Sequence, residues 1–272
     1  MRGVHVLCGA IVAAVTLHGC TNDNSGASPE GDVQSAGDVA GIHVVAGKTA
    51  AQTFRDEETS QLADAACAGD VAGVRQATTQ RADLNQRGLN GVTPLLWALH
   101  CESATGMEGL LEAGADPNLP FLNCSAVCVA AGLKNPEPLR VLLKHSGDPN
   151  ARYSDSGWTA LKMAFSLGVH SEKWDSYYAL LDAGADINMV YNGSTIAFWA
   201  ATFRRYDKVE ELLDRGYSVA LDYLASILEV QVDPGKEGSK RPNVARERLV
   251  ERLKSLGVAF PPVGRVRAPT DQ

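Results

Sequence analysis

Leu110-Leu111-Glu112-Ala113-Gly114-Ala115-Asp116-Pro117-Asn118 returns, barely altered, at Leu142 to Asn150 and at Leu180 to Asn188. Degraded copies lie at Ala77 to Asn85 and Leu212 to Ser218, with a last echo at Leu253 to Val258. The interval is 33 residues from Asn85 to Asn118, 32 to Asn150, 38 to Asn188, and 32 between Gly184 and Gly216. A period near 33 marks a solenoid whose units cannot bury their apolar faces alone. Each copy reads as the end of a helix. Two leucines close the apolar face, and the glycine takes the left-handed conformation that ends a helix without a Cβ clash. The Asp and Asn then favour a turn, because their short side chains hydrogen-bond nearby backbone.

Upstream of the second copy stands Gly91-Val92-Thr93-Pro94-Leu95-Leu96-Trp97-Ala98: a turn, a hydroxyl cap and a proline in the first helical turn. Leu62 to Ala66, Ser125 to Ala131, Gly157 to Ala164 and Gly193 to Ala201 keep that frame with substitutions. Small alanines there let neighbouring helices approach closely. This order of turn, helix, helix and loop resembles the ankyrin repeat, whose TPLHxAA motif is close to the run at Thr93. The resemblance covers roughly Glu57 to Phe260 and implies an all-α ankyrin-repeat solenoid of stacked helix-turn-helix units joined by β-turn loops. Five repeats are clear and a sixth, C-terminal one diverges.

Two irregularities interrupt the frame. About five extra residues around Gly168 to Ser176 predict a lengthened link between the two helices of that repeat. In the last unit a Gly/Pro/Lys-rich insertion, Val232 to Asn243, separates helices expected at Asp222 to Gln231 and Ala245 to Leu256. The second of these is charge-rich and half-polar, as a terminal repeat with a solvated outer face requires.

At the N-terminus, Met1-Arg2 precedes an apolar run from Val4 to Leu17, too short to span a bilayer and suited to a secretory signal. It ends in Leu17-His18-Gly19-Cys20, which resembles the bacterial lipoprotein box except for His18. An ordinary signal peptide or a buried apolar start is the other reading. The resemblance implies lipidation of Cys20. Thr21 follows rather than Asp, which by analogy with Gram-negative lipoproteins implies the periplasmic side of the outer membrane. The domains expected are thus a signal peptide at 1–19, a lipidated cysteine and flexible tether at 20–56, the repeats at 57–260 and a Pro-rich tail at 261–272. The net charge is −7, and removing residues 1–19 takes away Arg2 to leave −8. An acidic chain argues against nucleic acid and against anionic membrane faces as partners, so the membrane is met only through the lipid. Gly41 to Thr49 mimics a phosphate loop, but five residues separate its glycines where four are needed. No cofactor is expected.

Four cysteines remain after Cys8 and Cys20: Cys67, Cys101, Cys124 and Cys128. An even number in an exported chain points to disulfides, with three pairings open. Cys67–Cys101 with Cys124–Cys128 is favoured, since the first two end the first helix in successive repeats and the second two lie four apart. Four buried thiols, or a zinc site with His100, are the alternatives, although the latter spacing matches no usual ligand pattern. No GxSxG, HExxH or SxxK run is present. The recurrent Asp83, Asp116, Asp148 and Asp186 read as turn formers, so a non-enzymatic protein is expected.

Ankyrin proteins bind through turn tips and the adjacent end of the first helix, on the concave face. Carried over by position, the resemblance implies partner contacts at Leu89, Asn90, Val92 and His100; Phe121 and Leu122; Asp155, Ser156 and Trp158; and Tyr191, Asn192, Ser194, Thr202 and Phe203. Exposed Trp and Tyr are what binding hot spots use. The competing reading tucks Leu89, Val92 and Phe121 between turns and packs Phe203 on the next repeat. Trp97, Met163 and Trp199 share one frame position and read as core. The partner implied is a protein. The chain resembles exported bacterial ankyrin proteins proposed as immunity proteins against type VI lipase effectors. An envelope protein that assists or protects a periplasmic enzyme is the alternative.

Overall fold

The computed structural model describes residues 47–121, 124–153, 158–191, 193–231, 244–263, 266 and 268–270. The signal segment, Cys20, most of the expected tether and the insertion at 232–243 lie outside the described residues. Within them the chain is all-α: thirteen helices and no strand, with three isolated antiparallel bridges. None of the described helices is long and apolar enough to cross a membrane.

A short helix, α1 (Ala50–Thr53), leads into six helix pairs: α2 (Glu57–Ala68) and α3 (Val71–Thr79), α4 (Pro94–His100) and α5 (Ala104–Glu112), α6 (Ala126–Ala131) and α7 (Glu137–Lys144), α8 (Ala160–Ser171) and α9 (Asp175–Asp182), α10 (Ile196–Thr202) and α11 (Tyr206–Asp214), α12 (Leu221–Val230) and α13 (Val244–Ser255). The first helices pack in sequence, α2 on α4, α4 on α6, and so on to α12. Among the second helices, α3 packs on α5, α5 on α7, α7 on α9 and α11 on α13. The leucines of the repeated run supply the centre, with Leu110, Leu142, Leu180 and Leu212 fully buried. α1 starts seven residues ahead of the expected boundary at 57 and packs on α2, and Phe54 beside it lies in the core, edge-on to Trp97. Phe54 therefore closes the first pair.

The local chemistry explains the frame. Thr93, Thr159 and Thr195 cap α4, α8 and α10, each hydroxyl accepting from the backbone three residues on, at 3.3, 3.1 and 3.2 Å. At the other end, Gly114, Gly184 and Gly216 take φ of +105°, +85° and +96°. A Cβ at any of them would meet nothing within 4 Å, so the backbone angle alone demands glycine. In the third copy Ser146 holds that conformation at φ +65°, and glycine moves one place on to Gly147. There space decides, because a Cβ would lie 2.8 Å from the Leu142 carbonyl oxygen.

The Asp and Asn of the run do more than turn the chain. Each Asp accepts from the Asn amide two residues later, at 2.8 to 2.9 Å. Each Asn side chain then accepts from the backbone of the following copy: Asn85 from Asp116, Asn118 from Asp148, Asn150 from Asp186 and Asn188 from Ser218, at 2.7 to 2.9 Å. This ladder stitches one loop to the next and sets the period.

The extra residues near Gly168 are a correction. They extend α8 to twelve residues, against seven in α4 and α10, while the link to α9 stays at three residues, 172–174. Gly168 lies within α8, where a Cβ would come 2.4 Å from the Trp174 ring. Both favoured disulfides form, with Cα–Cα distances of 5.4 Å for Cys67–Cys101 and 6.2 Å for Cys124–Cys128.

Candidate functional site

Between one pair and the next the chain makes a hairpin tip. Gly88 donates to Val92 at 2.8 Å, and the bridges Phe121 with Cys124, Arg152 with Thr159 and Tyr191 with Ser194 close the later tips. Tips are tied to their neighbours. Arg87 Nη1 donates to the Pro120 carbonyl at 2.8 Å, and Tyr191 Oη donates to the Tyr153 carbonyl at 3.0 Å.

The expected contact residues separate on this scaffold. Leu89, at 38% exposure, and Asn90 stand on the exposed 3-10 turn Leu89–Gly91. Val92, 2% exposed, and Phe121, 3% exposed, are core, because the closed tip turns both inward under the turn; neither belongs to a partner surface. His100 is half-buried at the end of α4, its ring 6.3 Å from Trp97. Tyr191 is half-buried with its hydroxyl engaged and the Arg152 guanidinium 5.2 Å from its ring centre, so it braces two tips rather than standing free. Thr202 is exposed, its hydroxyl returned to the Phe198 carbonyl. Leu122, Asp155, Ser156 and Asn192 lie outside the described residues.

What the structure does bring together is an aromatic strip. Trp158 stacks on Trp199 with centres 6.4 Å apart, and Trp199 stacks on Phe203 at 6.2 Å. All three are half-buried. Trp97 and Met163 are core as their shared frame position implies, but Trp199 is only partly covered.

Lys162, a residue the sequence reading passed over, sits in this strip. It is 8% exposed, with Nζ 3.6 Å from the Trp199 ring centre and 4.3 Å from that of Trp158. Burial pushes its pKa down to about 7, while the two indole faces favour the charged form and oppose that shift. A signal was available. The same frame position holds Leu96, Cys128 and Phe198 in the other copies, so a lysine there breaks an apolar register. Lys162 lines a shallow cleft of about 20 Å³ with Thr159, Asp186, Tyr191, Ser194 and Trp199. That volume holds about one water, far below the roughly 300 Å³ at which small-molecule pockets begin.

The described residues contain no group of three His, Cys, Asp or Glu side chains that could hold a metal ion. Cys101, Cys124 and Cys128, the cysteines of the zinc alternative, are all spent in disulfides. No protein-family model matches the sequence. The chain is similar to Protein PhlB of Serratia liquefaciens, 35% identical over 137 residues, which is 50% of this chain and 58% of that protein. The chain thus spans less than two thirds of the length of the relative it matches.

Proposed function

We propose that the chain is a non-enzymatic protein-binding module, an ankyrin-type solenoid tethered by a lipid on Cys20 to the periplasmic side of the outer membrane. It binds its partner through the hairpin-tip face. The partner class that the sequence resemblance implies is a secreted lipase effector, which the chain neutralises by occlusion. The observation that carries the binding reading is the strip Trp158, Trp199 and Phe203, half-exposed aromatic surface beside a buried cation. Such residues make binding hot spots, and a molecule that needed only to fold would place polar groups there. The ankyrin reading is supported by the threonine caps, the sequential helix pairs and the asparagine ladder with its spacing near 33.

The test is capture from envelope extracts or by a candidate effector, comparing wild type with Trp158→Ala. Truncating a hot-spot aromatic costs about 2 kcal/mol or more, roughly thirtyfold in affinity. Circular dichroism should stay unchanged, since Trp158 precedes α8 and is only half-buried. Cells carrying the variant should lose protection against the cognate effector at normal protein level. Equal capture by a folded variant would exclude this face. Separately, Cys20→Ser should move the protein out of the membrane fraction, and an unlipidated wild type in osmotic-shock fluid would refute the anchor.

A further inference from the structure

The fold treats its two buried lysines in opposite ways. Lys208, on α11, donates to Glu211 Oε2 at 3.0 Å and to the Tyr178 hydroxyl, and these partners outweigh burial to raise its pKa. Lys162 is as well buried, but among the described residues its Nζ meets only the Trp158 and Trp199 rings and no carboxylate. Two further polar atoms on residues lining the same cleft, the Trp199 indole N–H and the Ser194 hydroxyl, are buried without a hydrogen-bond partner. Burying donors without acceptors is costly, and two such donors beside a lysine with no carboxylate partner make this cleft suited to an outside acceptor.

We propose that this cleft, between α8 and α10, is the receptor for a single carboxylate of the partner protein, an aspartate or glutamate side chain that inserts against Lys162 Nζ. The inference rests on the protein-binding reading and names the chemistry of its central contact. A cleft of about 20 Å³ can take no more than the end of one side chain and is too small to enclose a drug-sized ligand. The flanking indoles keep water from the ion pair, which strengthens it. Asp186 also lines the cleft, its Oδ1 accepting from the Asn188 amide at 2.8 Å, so the incoming carboxylate must gain enough from Lys162 to offset that repulsion. The other titratable group among the described lining residues is Tyr191, braced by Arg152.

The test needs no partner. In oxidised protein labelled with ¹³C at lysine Cε, the Lys162 resonance is assigned by its loss in Lys162→Met and titrated with pH. The probes are a blocked tripeptide with a central glutamate, its glutamine counterpart, sodium acetate, and sodium chloride at matched ionic strength. The expected result is a saturable, roughly millimolar response to the glutamate peptide, with the Lys162 pKa raised by about one unit, a tenfold preference of the carboxylate for the ammonium form. The glutamine peptide and chloride should do nothing. No response, or an equal response to glutamine or chloride, overturns the proposal. A response to acetate alone assigns the cleft to small carboxylates and overturns the protein partner. Asp155→Asn should leave the Lys162 titration in place; a changed titration gives the counter-ion to the chain itself and overturns it too. Each of these failures would leave the Trp158→Ala capture experiment free to succeed, so the two readings fail separately.

Discussion

The first three helix pairs and the last three share a frame but close it with different chemistry. In the N-terminal half two disulfides cross-link the chain, and α5 lies so close to α2 that a Cβ on Gly106 would fall 1.7 Å from the Ala66 carbonyl oxygen. All of α6 is small or β-branched and buried. The C-terminal half has no cysteine after Cys128 and fills the same space with rings: Phe165 on Trp174 at 5.6 Å, Trp174 on Tyr177 at 5.6 Å and Phe198 on Tyr223 at 5.6 Å. Both buried lysines lie there. One half is dense and covalently fixed. The other packs large amphipathic rings around two buried lysines, the kind of groups on which the proposed recognition surface rests.

Breaking the crosslinks should separate the halves most sharply. Cys67–Cys101 closes a loop of 34 residues, so replacing both cysteines by alanine should cost about 3–4 kcal/mol on chain-entropy grounds. Cys124–Cys128 spans four residues and should cost about 2 kcal/mol. Urea denaturation measures both. Hydrogen exchange should rise in α2 to α5 and stay unchanged in α8 to α11, because such arrays distribute stability over neighbouring interfaces. A uniform rise along the chain would mean one cooperative unit and dissolve the comparison.

Close packing gives the next effect. Gly106→Ala must push α5 from α2 and should cost about 2–3 kcal/mol. Gly109→Ala on the same helix meets only Val71 and Val74 methyls at 3.7 to 3.8 Å and should be neutral or stabilising by up to about 1 kcal/mol. Gly168→Ala tests the aromatic half. Its obstacle is the half-buried Trp174 ring rather than backbone, so its cost should fall below that of Gly106→Ala in the same urea assay.

Lys162 gives the C-terminal half a pH signature. Its folded pKa of about 7 lies below the usual 10.5, so between these values the unfolded chain binds more protons and stability rises with pH. The rise is at most about 1.4 kcal/mol per unit, less whatever the indole faces return to the charged form. Below pH 7 both states are protonated and the full penalty stands. Lys162→Met should abolish the slope and stabilise the protein at neutral pH, while Lys208→Met should destabilise it by removing the donor that Glu211 and Tyr178 share. An unchanged slope in Lys162→Met would show that this lysine carries no buried-charge penalty.

Helix ends and pairings were legible because local rules act on them. Gly114 and Gly184 had to end helices, Thr93 and Thr195 had to start them, and four cysteines placed on frame positions had few ways to pair. What escaped depends on neighbours distant in sequence. The extra residues around Gly168 read as a longer link, yet α8 runs through this glycine, which leaves room for the Trp174 ring. Val92 and Phe121 carry the position of a tip residue but the environment of a core one, which only the closed turn decides. The strip at Trp158, Trp199 and Phe203 joins residues 45 positions apart, and no period announces it.

The smallest effect should be indifferent to which half is tested, and so marks where the comparison stops. Asn118, in the first half, accepts from Asp148 at 2.7 Å and donates to Ser146 at 2.9 Å. Asn188, in the second, accepts from Ser218 at 2.9 Å and donates to Gly216 at 3.3 Å. The ladder is backbone geometry common to every copy, independent of whether sulfur or rings fill the core beside it. Asn118→Ala and Asn188→Ala should therefore each cost about 1 kcal/mol, the net worth of one or two hydrogen bonds whose orphaned groups can turn to water. Asn118→Ala should be slightly the worse, having the shorter pair of bonds. Asp at either site keeps an acceptor and should restore part of the loss, which a simple packing defect would not allow. A cost several times larger in one half would show that the ladder and the core are coupled there, and that the two chemistries reach the loops after all.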